Sequence, residues 1–213
     1  MRLFLVRHGQ TSWNNSGRAQ GHTDISLDPT GLDQARSLGE TFSGVGIDRL
    51  LSSDLARASE TAAFISSETG VSVESRKDLR ERCFGEWEGI LFSDLNQKML
   101  EKADREGVTV PAVRPPGGES FQDVWNRLSP LAKELRSTDE DVVVVAHGGC
   151  LSVLLAQMVC GTLDTSRAFR FSNTAITELE LRAEGLFMIT RYNDTEHLSS
   201  HRVRSGSLDV VSR

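Results

Sequence analysis

At 213 residues and a formal net charge of −6, the chain is long enough for one large domain and lacks the basic excess of a general nucleic-acid or membrane-surface binder. Hydrophobic residues at 38% and charged residues at 25% are ordinary for a soluble globular protein, and at this length a core forms without disulfide or metal staples. The three cysteines, Cys83, Cys150 and Cys160, have neither disulfide-framework nor C-x-x-C spacing, so reduced thiols and a cytoplasmic setting are expected. No apolar run approaches the ~20 residues of a membrane helix, and the opening apolar run is too short for a signal segment.

Residues 2–6 are a brief apolar run read as a strand, and it leads directly into Arg7-His8-Gly9. Asp28-Pro29-Thr30-Gly31 opens an amphipathic helix to about Phe42, with Leu32, Ala35, Leu38 and Phe42 at helical spacing. A short strand is expected over 47–51, a helix over 55–67 and another brief strand over 71–74. Segments 91–106 and 120–136 read as helices. Between them, 107–119 carries Pro111, Pro115, Pro116, Gly117 and Gly118 and reads as loop. Four consecutive valines in 141–146 make a strand buried on both faces, followed by His147-Gly148-Gly149. A helix over 151–159 follows. Segments 177–182 and 186–191 alternate around Ala183-Glu184-Gly185 as an antiparallel hairpin, and a polar tail begins at about 194.

Strands interleaved with helices imply an α/β fold with a mainly parallel sheet. Ligands in such sheets bind beyond the carboxyl ends of the strands, which brings His8 and His147 toward one site. Arginine offers a planar fork of donors for phosphate oxygens, glycine permits close backbone approach, and a neutral imidazole beside fixed positive charge can attack phosphorus. Arg57, early in a helix after a strand, adds a second guanidinium. Glu81 is a carboxylate that can protonate a leaving oxygen. His22, in a polar loop, is a weaker candidate for touching substrate.

The runs LVRHGQTSWN, SSDLARASETA, LRERCFGEWEG, PGGES and VVVVAHGG stand in that order, and together they resemble the histidine phosphatase superfamily, the phosphoglycerate mutase-like group. The resemblance implies a three-layer α/β/α sandwich over 1–213, with a short cap-like insertion at about 92–118, and a phosphohistidine mechanism with no metal and no cofactor. It makes His8 the nucleophile, Glu81 the proton donor, and Arg7, Arg57 and His147 the phosphate pocket. Asn14, Gln20, Gly21 and Gly148 become substrate contacts. Arg82, after the acid, is a contact for a substrate carboxylate.

Hydrolase and mutase share this first step. His147-Gly148-Gly149 where mutases usually show HGN, together with CFGEWEG and the PGGES run, favours a phosphomonoester hydrolase; Arg82 keeps a cofactor-dependent phosphoglycerate mutase as the alternative. A non-catalytic phospholigand-binding module is the remote third. The expected partner is a small phosphorylated metabolite (a sugar phosphate, a phosphoglycerate-type acid or an α-ribazole-phosphate-like ester), with no nucleic acid or membrane and a homodimer left open.

Overall fold

The structure, a computed structural model, describes residues 1–182 and 185–199. In chain order it runs β1 (Arg2–Arg7), α1 (Ser12–Asn15), α2 (Pro29–Thr41), β2 (Arg49–Ser53), α3 (Ala56–Thr69), β3 (Val73–Arg76), α4 (Phe92–Glu106), α5 (Phe121–Arg136), β4 (Val142–Ala146), α6 (Gly148–Met158), β5 (Ile176–Leu181) and β6 (Phe187–Asp194). The six strands form one sheet in the order β3-β2-β4-β1-β5-β6. The first four are mutually parallel, and β5 and β6 add an antiparallel pair at the β1 side. This is the expected mainly parallel sheet with a C-terminal hairpin.

Period-two alternation sorts the sheet's side chains into two cores. Leu3, Leu5, Val142 and Val144 join Leu128, Leu131, Leu151 and Leu155 of α5 and α6. Phe4, Val6, Val143 and Val145 join Leu38, Ala58, Ala62 and Ile65 of α2 and α3. The four valines are fully buried because helices cover both faces, giving the three-layer α/β/α arrangement. A third, smaller cluster of Ala19, Phe84, Leu95, Met99, Ala103 and Val113 holds α4 against the loops before and after it.

Several local expectations change. Leu32 is 39% exposed, because at 3.6 residues per turn it lies about 120° around α2 from Leu38. Thr11 and Asn14 form a reciprocal capping box that starts α1, a short helix not among the expected elements. Segment 107–119 contains a 3-10 turn, Val110–Ala112, with Pro111 buried. Helix α6 begins at Gly148, three residues before the expected start. A further 3-10 turn, Thr165–Ala168, was not expected. Of the predicted hairpin turn, Ala183 and Glu184 lie outside the described residues, as does the tail from 200 onward. No helix among the described residues is long and apolar enough to cross a membrane.

Candidate active site

Three adjacent parallel strands, β2, β4 and β1, end together and deliver the central residues. Val6 pairs with Val145, and Val145 with Ser52, so Ser53, His147 and His8 emerge side by side. The His8 N–H donates to Ala146 O at 3.0 Å, locking the two strand ends in register. The imidazole rings of His8 and His147 lie 5.1 Å apart between centroids.

His8 is 2% exposed. Its Nδ1 meets the Gly9 carbonyl at 2.7 Å. A carbonyl only accepts, so Nδ1 carries the proton and Nε2 keeps its lone pair. Burial, then the charges of Arg7 and Arg57, hold the His8 pKa well below the ordinary 6.5. The imidazole is therefore neutral at physiological pH.

Both arginines are tethered through only part of their donor sets. Arg57, 1% exposed, donates from Nη2 to Gly21 O at 2.8 Å, from Nη1 to Thr23 O at 3.0 Å and from Nε to His147 Nδ1 at 3.2 Å. Burial pushes its pKa down to about 10, leaving it charged at neutral pH. Arg7 donates from Nη1 to Phe171 O at 2.7 Å, while its buried Nε has no hydrogen-bond partner among the described residues. That orphan is costly unless an anion meets it. Nearby, the N–H of Gly148, first in α6, has no acceptor among the described residues, and an added Cβ on Gly148 would lie 3.7 Å from Arg7 Nε.

His147 is fully buried, and both of its ring nitrogens are occupied. Nδ1 accepts from Arg57, so Nε2 carries the proton and donates to Ser53 Oγ at 2.9 Å. The expected phosphate-facing donor is thus directed at Ser53, because the Arg57 bond fixes its tautomer. Burial and the neighbouring cations hold its pKa well below 6.5 as well.

Glu81 sits at the N-terminus of α6. Its Oε1 accepts from the N–H groups of Arg82 and Cys150, and its Oε2 from that of Gly149. This contact across the fold caps α6, and it comes so close that a Cβ on Gly149 would lie 2.6 Å from Glu81 Oε1. Oε2, with one donor, is the oxygen with lone-pair capacity to spare. The backbone carrying Glu81 is itself braced. Arg127 donates to the carbonyls of Asp78, Arg80 and Glu81 and pairs with Glu119 through Nε and Nη2, both at 3.0 Å. His22 Nε2 adds a 2.8 Å bond to Glu81 O, so its contact is with the acid's loop.

Asn14 Oδ1 is committed to Thr11 and Asn173, which leaves its amide nitrogen as a donor at the cleft. Gln20 is buried at the cleft wall. Gly21 has φ +55°, and a Cβ there would collide with the Glu88 carboxylate, so only glycine fits. Arg82 departs most from its expected use. It donates to Glu119 O at 2.7 Å and Val113 O at 2.8 Å, and its guanidinium lies 4.5 Å and 5.5 Å from the ring centroids of Phe121 and Phe84. Its Nη1 alone is uncommitted.

Of the expected site residues all but His147, which is fully buried, line one cleft of about 1100 Å3; His22, Ser53, Arg127 and Glu119 stand behind it. Ser53, Arg127 and Glu119 were missed by sequence reasoning, since their contribution is a contact to another site residue; the PGGES run was the one available signal for Glu119. Among the described residues no group of three or more His, Cys, Asp or Glu side chains could hold a metal ion.

The profile of the histidine phosphatase superfamily, branch 1, matches residues 3–195. Among curated proteins, the chain is 30% identical over 205 residues to the phosphoglycerate mutase-like protein 4 of Arabidopsis thaliana, covering 92% of this chain and 86% of that one. It is 34% identical over 161 residues to the adenosylcobalamin/alpha-ribazole phosphatase of Escherichia coli, covering 75% and 79%. A solved mycobacterial glucosyl-3-phosphoglycerate phosphatase superposes with a TM-score of 0.77 at 30% identity, over 90% of this chain and 98% of its own. The chain belongs to branch 1 of the histidine phosphatase superfamily and is a phosphatase of that family.

Proposed function

We propose that this phosphatase hydrolyses small phosphomonoesters through a phosphohistidine formed on His8. The observation that carries the reading is the pairing of a neutral, Nδ1-protonated His8 with the orphaned Nε of Arg7. A nucleophilic nitrogen and a guanidinium with one buried, unpartnered N–H at one cleft suit a tetrahedral dianion.

In the first step, His8 Nε2 attacks phosphorus and the bond from phosphorus to the ester oxygen breaks. Glu81, holding a proton on Oε2, gives it to the departing alcohol. Arg7, Arg57, Asn14 and the Gly148 N–H carry the charge on the non-bridging oxygens. His147 supports the pocket by orienting Arg57; for it to donate directly, Nε2 must exchange Ser53 for a phosphoryl oxygen. In the second step water attacks the phosphohistidine, Glu81 takes its proton back, and inorganic phosphate leaves with His8 neutral again. Each turnover consumes one water and one ester.

Small phosphorylated metabolites are the substrates named for several relatives, and the same class is proposed here. The three free cysteines suit a reducing cytoplasm, which we propose as its location. Arg82 at the cleft is the observation that favours a mutase, but most of its donors are committed to backbone carbonyls. The deciding assay measures phosphate release from a panel of monoesters beside interconversion of 3- and 2-phosphoglycerate with bisphosphate. Phosphate release should dominate; efficient interconversion with negligible release would refute the hydrolase reading.

A further inference from the structure

The phosphate-handling groups line only part of a cleft whose volume, about 1100 Å3, is far larger than a phosphoryl group needs. The large apolar side chains that line the remainder are aromatic, and they stand beside polar residues such as Asn96, Asp164 and Ser166. Five of the chain's nine phenylalanines, Phe84, Phe92, Phe121, Phe169 and Phe171, border it. They come from two separate parts of the chain. Phe84, Phe92 and Phe121 belong to the α4 side, and Phe169 and Phe171 to the segment leading into β5.

Four of these rings are anchored from behind. Phe84 belongs to the cluster that holds α4, and Phe121 carries the Arg82 guanidinium. Phe169 and Phe171 rest against Tyr192, with ring centroids 6.1 Å and 6.4 Å away. Phe92 differs. It opens α4, is 45% exposed and is absent from the apolar clusters, yet it borders the cleft. With the four anchored rings it makes a group of apolar side chains beside the reaction site, and a contiguous apolar surface of that kind suits a ligand that covers it.

Resting on the hydrolase reading, we propose that the phenylalanine-lined part of the cleft is a leaving-group subsite for an aromatic ring. Preferred substrates are then monophosphates of alcohols that carry a flat apolar group several bonds from the phosphate. Small acids such as phosphoserine or 3-phosphoglycerate fill little of it. Their carboxylate lies close to phosphorus, where Arg82 offers only Nη1, its other donors being held by Glu119 and Val113. Arg167 and Arg170 are solvent-exposed at the cleft's edge and suit a polar extension of the leaving group.

The test compares 2-phenylethyl phosphate with ethyl phosphate. Both release a primary alcohol, so leaving-group basicity is nearly matched and the ring is the main variable. The wild-type kcat/KM should favour the phenylethyl ester by at least about tenfold, the scale of discrimination an apolar pocket supplies. Phe92→Ala should shrink that ratio by severalfold, and Phe169→Ala should do so independently; thermal melts of both variants check the fold. A wild-type ratio near one would overturn the subsite while leaving the hydrolase intact. So would a ratio unchanged in both folded variants, or phosphoserine outperforming the phenylethyl ester. Absence of phosphate release from every ester would overturn the hydrolase reading and the subsite together.

Discussion

Arg57 donates from Nε to Nδ1 of His147 at 3.2 Å, so the orientation of a phosphate-binding guanidinium and the tautomer of a buried imidazole are set by one bond. The remaining Arg57 nitrogens hold Gly21 O and Thr23 O, which leaves one N–H on each terminal nitrogen for a ligand. A lysine keeps the charge and loses this fork. Arg57→Lys should therefore lower kcat/KM by about 10²-fold, the scale of removing one preorganised donor. Steady-state kinetics check this, and near-wild-type activity would mean that charge alone suffices.

The pH dependence follows from His8. Its neutral form is the nucleophile, and burial with two adjacent arginines holds its pKa well below 6.5. Activity limited by His8 is then retained through pH 6.5 and lost only in more acid solution, as pH falls through the depressed folded value. Stability moves the same way. Below 6.5 the unfolded imidazoles of His8 and His147 take up protons that the folded ones resist, which favours unfolding. The melting temperature should fall from pH ~7 to ~5, and less steeply in His8→Ala.

Glu81 separates by leaving group. If it protonates the departing oxygen, Glu81→Gln should slow alkyl phosphates about 10²–10⁴-fold more than aryl phosphates, whose leaving groups need no proton. Equal losses on both would assign Glu81 to capping α6 alone, the contact it makes through Gly149 and Cys150.

Arg127 acts through Glu81 in the same account. It touches three carbonyls of the acid's loop and clamps Glu119, which also accepts from the Cys83 N–H. Arg127→Ala should show a milder form of the Glu81→Gln signature, with the alkyl-to-aryl rate ratio falling severalfold. Arg36→Ala, which breaks an ion pair to Asp33 within α2, should leave that ratio alone. Rate ratios of the two variants, beside thermal melts, distinguish positioning from general destabilisation.

The sheet was legible because its signals are local. Four valines in a row need two covered faces, and each strand-end histidine is followed at once by glycine. The helix over 28–42 was legible from Asp28, whose side chain does cap it. What stayed hidden depends on contacts across the fold. Nothing near Gly148 announces a helix start, since the cap is a carboxylate 68 positions away. Asn14, expected as a substrate contact, also builds a helix turn with Thr11, because its carboxamide oxygen serves the cap while the nitrogen has no partner among the described residues. The tautomer of His147 was likewise unreadable, as it depends on Arg57 and Ser53 arriving together. Nor could the aromatic cleft be read, since its five rings come from well-separated stretches of sequence.

The central claim is that His8 carries the phosphoryl group. Rapid quench with a radiolabelled phosphoester into alkali, followed by acid treatment, tests it directly. A protein-bound label that survives alkali, is lost in acid and is missing from His8→Ala is the predicted result. No bound label in the wild type during turnover, or the same label in His8→Ala, would contradict the account.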